Sequence, residues 1–229
     1  MRTIIHIGTH KTGTTSIQHY LRGKKSLLKE KGLYVPSEIA GFSDPSHFIL
    51  NVYSLADNRS SPMKDIFIAT KEHDLFLGLE KRLGEDVERH YKQAIEQGCS
   101  DVIWSNEGLY LLNSNAEYQR LIALFSQYSS EVVVVCCFRE VESYRNSYIK
   151  QLADQNIPLS KDKDSYRYVN TDSWLFDYER KKRLLRESFD NYYFYPYCSN
   201  NNVAKFMSVI GYQVSVAPKY RLNVTENRL

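Results

Sequence analysis

Long hydrophobic runs are missing from this sequence of 229 residues, and no apolar stretch approaches the roughly 18 residues that a membrane span needs. The start is equally unlike a secretory leader. Met1-Arg2 leads straight into Thr3-Ile4-Ile5-His6-Ile7, too short and too polar for a signal core, so a cytoplasmic protein is expected. Charge of one sign is scarce as well. The net charge of +3 gives no reason to expect nucleic acid as a partner, although it is compatible with one local anion site. Cysteines number four, Cys99, Cys136, Cys137 and Cys198, without CxxC spacing. That pattern argues against a zinc site or a disulfide framework and for buried thiols. Low-complexity linkers and internal repeats are also lacking. With 42% hydrophobic and 25% charged residues, the composition is globular, and residues 1–229 read as one domain with a sizeable core.

What is present is an alternation of strand-like and helix-like segments. Residues 3–8 form a short β-branched run ending in Gly8, and 101–105 and 131–138 are apolar too. The last contains Val-Val-Val-Val-Cys-Cys-Phe, whose lack of alternation predicts a strand buried on both faces. Leu33-Tyr34-Val35 and 191–197 complete the expected strands. Helices are expected from the Gly/Thr-rich loop after Gly8 to Gly32, and over 46–56, 74–83, 84–97, 116–128, 140–154, 173–188 and 200–210, with loops at 57–62 and 155–172. The order predicts an α/β chain of three layers, a central parallel sheet with helices on both faces, with strand 3–8 between 101–105 and 131–138.

The chemistry is concentrated in Gly8-Thr9-His10-Lys11-Thr12-Gly13-Thr14-Thr15-Ser16. A strand, a small-residue loop and a helix start follow one another there. That order points backbone N–H groups and the positive end of a helix at one spot, which suits a phosphate or sulfate. Lys11 adds a full charge; Thr14, Thr15 and Ser16 add hydroxyls. In a Walker A loop the lysine directly follows the second glycine, whereas here Gly13 is followed by Thr14 and the lysine comes two residues earlier. The displaced lysine argues against an ordinary Mg²⁺-dependent nucleoside triphosphatase.

Lys11-Thr12-Gly13-Thr14-Thr15 resembles the 5′-phosphosulfate loop of sulfotransferases that use 3′-phosphoadenosine-5′-phosphosulfate (PAPS), and the string HIGTHKTGTTSIQ is similar to a bacterial branch of them. The resemblance implies a P-loop-like fold, PAPS as co-substrate, no required metal, and a small-molecule or carbohydrate acceptor, with a hydroxyl on a carbohydrate or glycolipid as the first expectation. It also implies a 3′-phosphate site. In that family an arginine ends a strand and a serine follows eight residues later, and Arg139 and Ser147 stand at that spacing. Many members have Asn-Pro after the arginine; this chain has Glu140-Val141. A third similarity, structural in character, runs from Trp174 to Gly211.

Sulfuryl transfer needs charge stabilisation at the leaving phosphate, a base for the acceptor proton, and in-line geometry. Lys11 fits the first task. Glu107, which leaves the strand 101–105 at the sheet edge that carries the loop, is the first candidate base, and His47 the second. His6 is expected in the core, and His10 binds or only shapes the loop. The basic run Arg180-Lys181-Lys182-Arg183 reads as a solvated helix face. Lys219, Arg221 and Asn223 are candidates for a closing C-terminal segment. Segments 41–84 and 155–172 match no motif and are expected on the acceptor side. A P-loop kinase using ATP, with Glu107 and a loop threonine on Mg²⁺, is the alternative enzyme; a non-catalytic nucleotide-binding protein is the third class.

Overall fold

The computed structural model describes residues 1–70, 76–217 and 220. Lys219, Arg221 and Asn223 lie outside the described residues, as does the start of the helix expected at 74. Five parallel strands make one sheet: β1 (Arg2–His6), β2 (Leu33–Tyr34), β3 (Asp101–Ser105), β4 (Glu131–Phe138) and β5 (Asn191–Pro196), in the order β2-β3-β1-β4-β5. The expected neighbours of β1 are its actual ones. Ile4 pairs in register with Ile103 on one side and Val133 on the other.

Burial on both faces follows from the apolar strands. Ile5, Trp104, Val134 and Cys136 point into one core, while Ile4, Ile103, Val135 and Cys137 point into the other. The second core is covered by α1 (Thr14–Gly23), α2 (Lys25–Glu30) and α9 (Asn202–Val209). The first is covered by α3 (Ile49–Ser54), α4 (Pro62–Ala69), α5 (Leu79–Glu96), α6 (Asn115–Ala123), α7 (Val141–Asp154) and α8 (Tyr178–Ser188). The three-layer α/β architecture is therefore present. No helix among the described residues is long and apolar enough to cross a membrane.

Several local expectations are corrected. Gly84 does not divide two helices: α5 runs through it, because Leu79, Leu83, Val87, Tyr91 and Ala94 keep one buried stripe at helical spacing. The stretch expected as a loop at 57–62 ends in the start of α4. The Ser61 side chain accepts from the Lys64 N–H, and Pro62 takes the first turn, where its missing N–H costs nothing. Glu107–Leu111, for which no element was expected, forms a 3₁₀ helix. Cys198 is exposed, unlike the other three thiols.

The basic run on α8 is not uniformly solvated. Lys181 is buried, and its Nζ donates to the carbonyls of Tyr110 (2.9 Å) and Leu112 (2.5 Å). The rings of Tyr110, Trp174 and Tyr118 stand 4.8, 5.5 and 5.7 Å from its ammonium. Burial pulls its pKa down to about 7, against the carbonyls and ring faces that favour the charged form.

Candidate active site

The loop between β1 and α1 is built from left-handed residues. Gly8, Lys11 and Gly13 have φ of +47°, +63° and +71°. A side chain at Gly8 would put its Cβ 2.6 Å from the Thr14 methyl, so only glycine lets the chain close here. Lys11 adopts the same region despite its Cβ, a cost that such loops bear where function demands the shape. The N–H groups of His10, Lys11, Thr12, Gly13, Thr14 and Thr15 meet no acceptor among the described residues. Those of Thr14 and Thr15 belong to the first turn of α1, whose N-cap is Gly13, and the helix dipole adds to them. Unsatisfied donors, a dipole and the exposed Lys11 therefore converge at the C-terminal end of the central strand.

Three side chains hold the loop's carbonyls. Thr12 Oγ1 donates to Thr9 O at 2.6 Å, Arg139 Nη1 to Lys11 O at 3.0 Å, and Asn202 Nδ2 to Thr12 O at 2.7 Å. Arg139 also donates from Nε to Ser143 Oγ at 2.8 Å and lies 3.4 Å from Ser147 Oγ, and its guanidinium stands 5.5 Å from the Tyr197 ring centre. Tyr144, Tyr148 and Leu152 are buried on the opposite side of α7, which leaves both serines facing Arg139. Glu140-Val141, in place of Asn-Pro, still starts α7 properly. The Glu140 carboxylate accepts from the N–H groups of Glu142 (2.9 Å) and Ser143 (2.7 Å), doing the work of an N-cap. Beside the loop lies a shallow cleft lined by Gly13, Ser16, Tyr197, Asn201 and Val216, among others.

The two candidate bases sit differently. Glu107 is half-buried at the end of β3 and accepts one hydrogen bond at Oε2, from Gln18 Nε2 at 2.7 Å. Gln18 lies on α1, so Glu107 is tied to the helix that the loop feeds. His47 is only 3% exposed. Its Nδ1 accepts from the Ser105 N–H at 3.0 Å, which leaves the proton on Nε2, facing Pro36 O at 3.4 Å. Burial pushes its pKa down to about 4, so it is neutral at pH 7 with both nitrogens committed to backbone. That geometry pins the residues after β2 to the end of β3.

His10 is buried with its ring 5.4 Å from that of Tyr148, and burial plus the Lys11 charge lower its pKa to about 4. What it offers an anion is its backbone N–H. His6 is a core residue, with Nδ1 against Ser105 Oγ at 2.8 Å and a pKa pushed by burial to about 3. Ser143 and Asn202 were not foreseen. Ser143 follows Arg139 by four residues on a new helix, a spacing visible in the sequence, whereas Asn202 had no local signal.

Compared with known proteins, the chain matches no family profile, and no curated protein matches it in sequence. Solved structures do resemble it. A sulfotransferase from Alicyclobacillus acidocaldarius aligns with a TM-score of 0.54 at 13% identity, covering 96% of this chain and 88% of that one. The sulfotransferase domain from the curacin biosynthetic pathway aligns with a TM-score of 0.46 at 10% identity, covering 96% of this chain and 76% of that one. The first likeness establishes the fold: this chain has the α/β fold of a bacterial sulfotransferase.

Proposed function

We propose that the protein is a PAPS-dependent sulfotransferase, residues 1–229 serving as one catalytic domain, and that its acceptor is a hydroxyl on a carbohydrate or glycolipid. One observation carries this reading. Arg139, the residue that the resemblance assigns to the 3′-phosphate, is bonded to the Lys11 carbonyl of the loop and stands beside Ser147. A ligand with one anionic group in the loop and a second at Arg139 fits that arrangement, and PAPS carries its phosphosulfate and 3′-phosphate on one ribose.

In the reaction, the acceptor oxygen forms a bond to sulfur as the bond from sulfur to the 5′-phosphate oxygen breaks. The leaving group is adenosine 3′,5′-bisphosphate (PAP). Lys11 and the N–H groups of residues 10–15 would stabilise the charge that grows on the leaving oxygen. Glu107 would accept the acceptor's proton through Oε1, because Gln18 already holds Oε2. His47 is the weaker base, since taking a proton means giving up the Ser105 bond.

Two observations support an acceptor side at 41–84 and 155–172. Tyr166 donates to Asp65 at 2.8 Å, joining the two segments, and Arg145 of α7 donates to Val169 O at 2.8 Å. The choice of carbohydrate rests on the resemblance to the bacterial branch. Thermal-shift measurements with PAP and with ATP–Mg²⁺ test the donor, because a ligand that binds only the folded state raises the melting temperature. A rise with PAP and none with ATP–Mg²⁺ is expected; the reverse would favour the kinase.

A further inference from the structure

An anion loop works only if its carbonyls point elsewhere. Across each planar peptide, the carbonyl of one residue and the N–H of the next point in opposite directions. Fixing a carbonyl on one side therefore aims the following N–H at the other. In this loop Thr9 O, Lys11 O and Thr12 O are each held by a side-chain donor, and the following N–H groups, of His10, Thr12 and Gly13, meet no acceptor among the described residues.

The Thr12–Gly13 peptide has the least hold of its own. Gly13, at φ +71°, is free of the Cβ that would restrict a flip. Its external hold is Asn202, 190 residues from Thr12 in sequence. Asn202 is only 6% exposed, and its amide is fixed from both ends: Oδ1 accepts from the Cys137 thiol at 3.7 Å while Nδ2 donates to Thr12 O at 2.7 Å. Although Asn202 begins α9, the N-cap is Asn201, so the Asn202 side chain is not spent on capping its own helix.

We propose that Asn202 is a positioning residue for the donor loop: it holds the Thr12 carbonyl away and thereby aims the Gly13 N–H at the 5′-anionic group of the nucleotide. It acts through the peptide and does not touch the reacting atoms. The proposal rests on the reading of this loop as the seat of the 5′ group.

Calorimetric titrations with PAP and with adenosine 3′-monophosphate, which lacks the 5′-phosphate, test it on wild type, Asn202→Asp and Asn202→Ala. Wild type should bind PAP more tightly. Asn202→Asp keeps the shape but sets a carboxylate oxygen against the Thr12 carbonyl; Asn202→Ala removes the donor. Each should weaken PAP binding by roughly tenfold or more while leaving the affinity for the 3′-monophosphate within about twofold. Loss of the two affinities in equal proportion would mean general damage to the fold and would overturn the proposal, as would unchanged PAP affinity. If the unmutated protein fails to distinguish the two nucleotides, the reading of the loop itself falls, and the proposal with it. Asn202→Ser, with a shorter side chain that still carries a donor, covers the case in which the other variants do not fold, and it should show the same selective loss.

Discussion

Lys11 occupies a backbone region that side chains avoid, in a loop where six N–H groups, its own included, meet no acceptor among the described residues. If its charge meets the developing phosphate, Lys11→Ala should lose at least about 100-fold in PAP release from PAPS while melting like wild type. Unchanged turnover in the folded variant would remove Lys11 from the chemistry. Glu107 and His47 separate in the same assay. Glu107→Gln should keep PAP affinity and lose turnover by roughly 100-fold or more, because the amide has nearly the same shape but takes no proton. His47→Ala should instead cost about 2 kcal/mol of stability, from a cavity and an unpaired Ser105 N–H, and leave the turnover of the folded fraction nearly intact. Loss of turnover in a stable His47→Ala protein would transfer the role of base to His47. At this scale the sequence exposed the residues that lie within one motif or one spacing: Lys11, Arg139, Ser147. It hid Asn202, whose partner is brought to it only by the packing of α9 beside α1.

At the scale of elements, α5 shows why a glycine misleads. Gly84 costs a helix up to about 1 kcal/mol relative to alanine, but the buried stripe on both sides of it outweighs that. A Cβ there meets nothing within 4 Å, so Gly84→Ala should stabilise the protein by about 0.5–1 kcal/mol, measured as a higher urea midpoint with unchanged slope. A destabilised variant would mean that α5 is not continuous at Gly84. On α8 the misleading feature was a charge run. Lys181, Leu185 and Ser188 are spaced as one helix face and are all buried, a periodicity that four consecutive cations concealed. Lys181 carries a pH signature. Its folded pKa, about 7, lies below the ordinary lysine value near 10.5, so between these limits the unfolded chain holds a proton that the folded one lacks. Its contribution to stability therefore rises with pH from about 7 and is lost as pH falls. Denaturant titrations at pH 7 and pH 9 should show wild type gaining on Lys181→Met by roughly 1–2 kcal/mol over that interval. A difference independent of pH would mean that Lys181 stays charged inside the protein.

For the whole molecule, the order of β1, β3 and β4 could be read from the sequence because parallel strands buried on both faces leave continuous apolar runs, and the loop after β1 marked the sheet edge that carries the candidate site. The helix near 46–56 and the loop at 155–172 could be read, but not what holds the segments between residues 36 and 70 and between 155 and 177 in place. Short helices and loops there are held by tertiary bonds such as Tyr166 to Asp65 and Arg59 to Glu117, which no local pattern reveals. On the proposed function, the loop and Arg139 receive two anionic groups of one nucleotide. A kinase has no reason to bind a phosphate at the ribose 3′ position. Hydrogen bonds to charged groups are worth roughly 1.5–3 kcal/mol each, so PAP should bind ten- to several-hundredfold more tightly than 5′-AMP without Mg²⁺. Arg139→Ala should remove most of that difference. Titration calorimetry on wild type and Arg139→Ala with each nucleotide closes the cycle. A strong PAP preference that collapses in Arg139→Ala is the predicted result; equal affinity of wild type for the two nucleotides, or binding of ATP only with Mg²⁺, would contradict it.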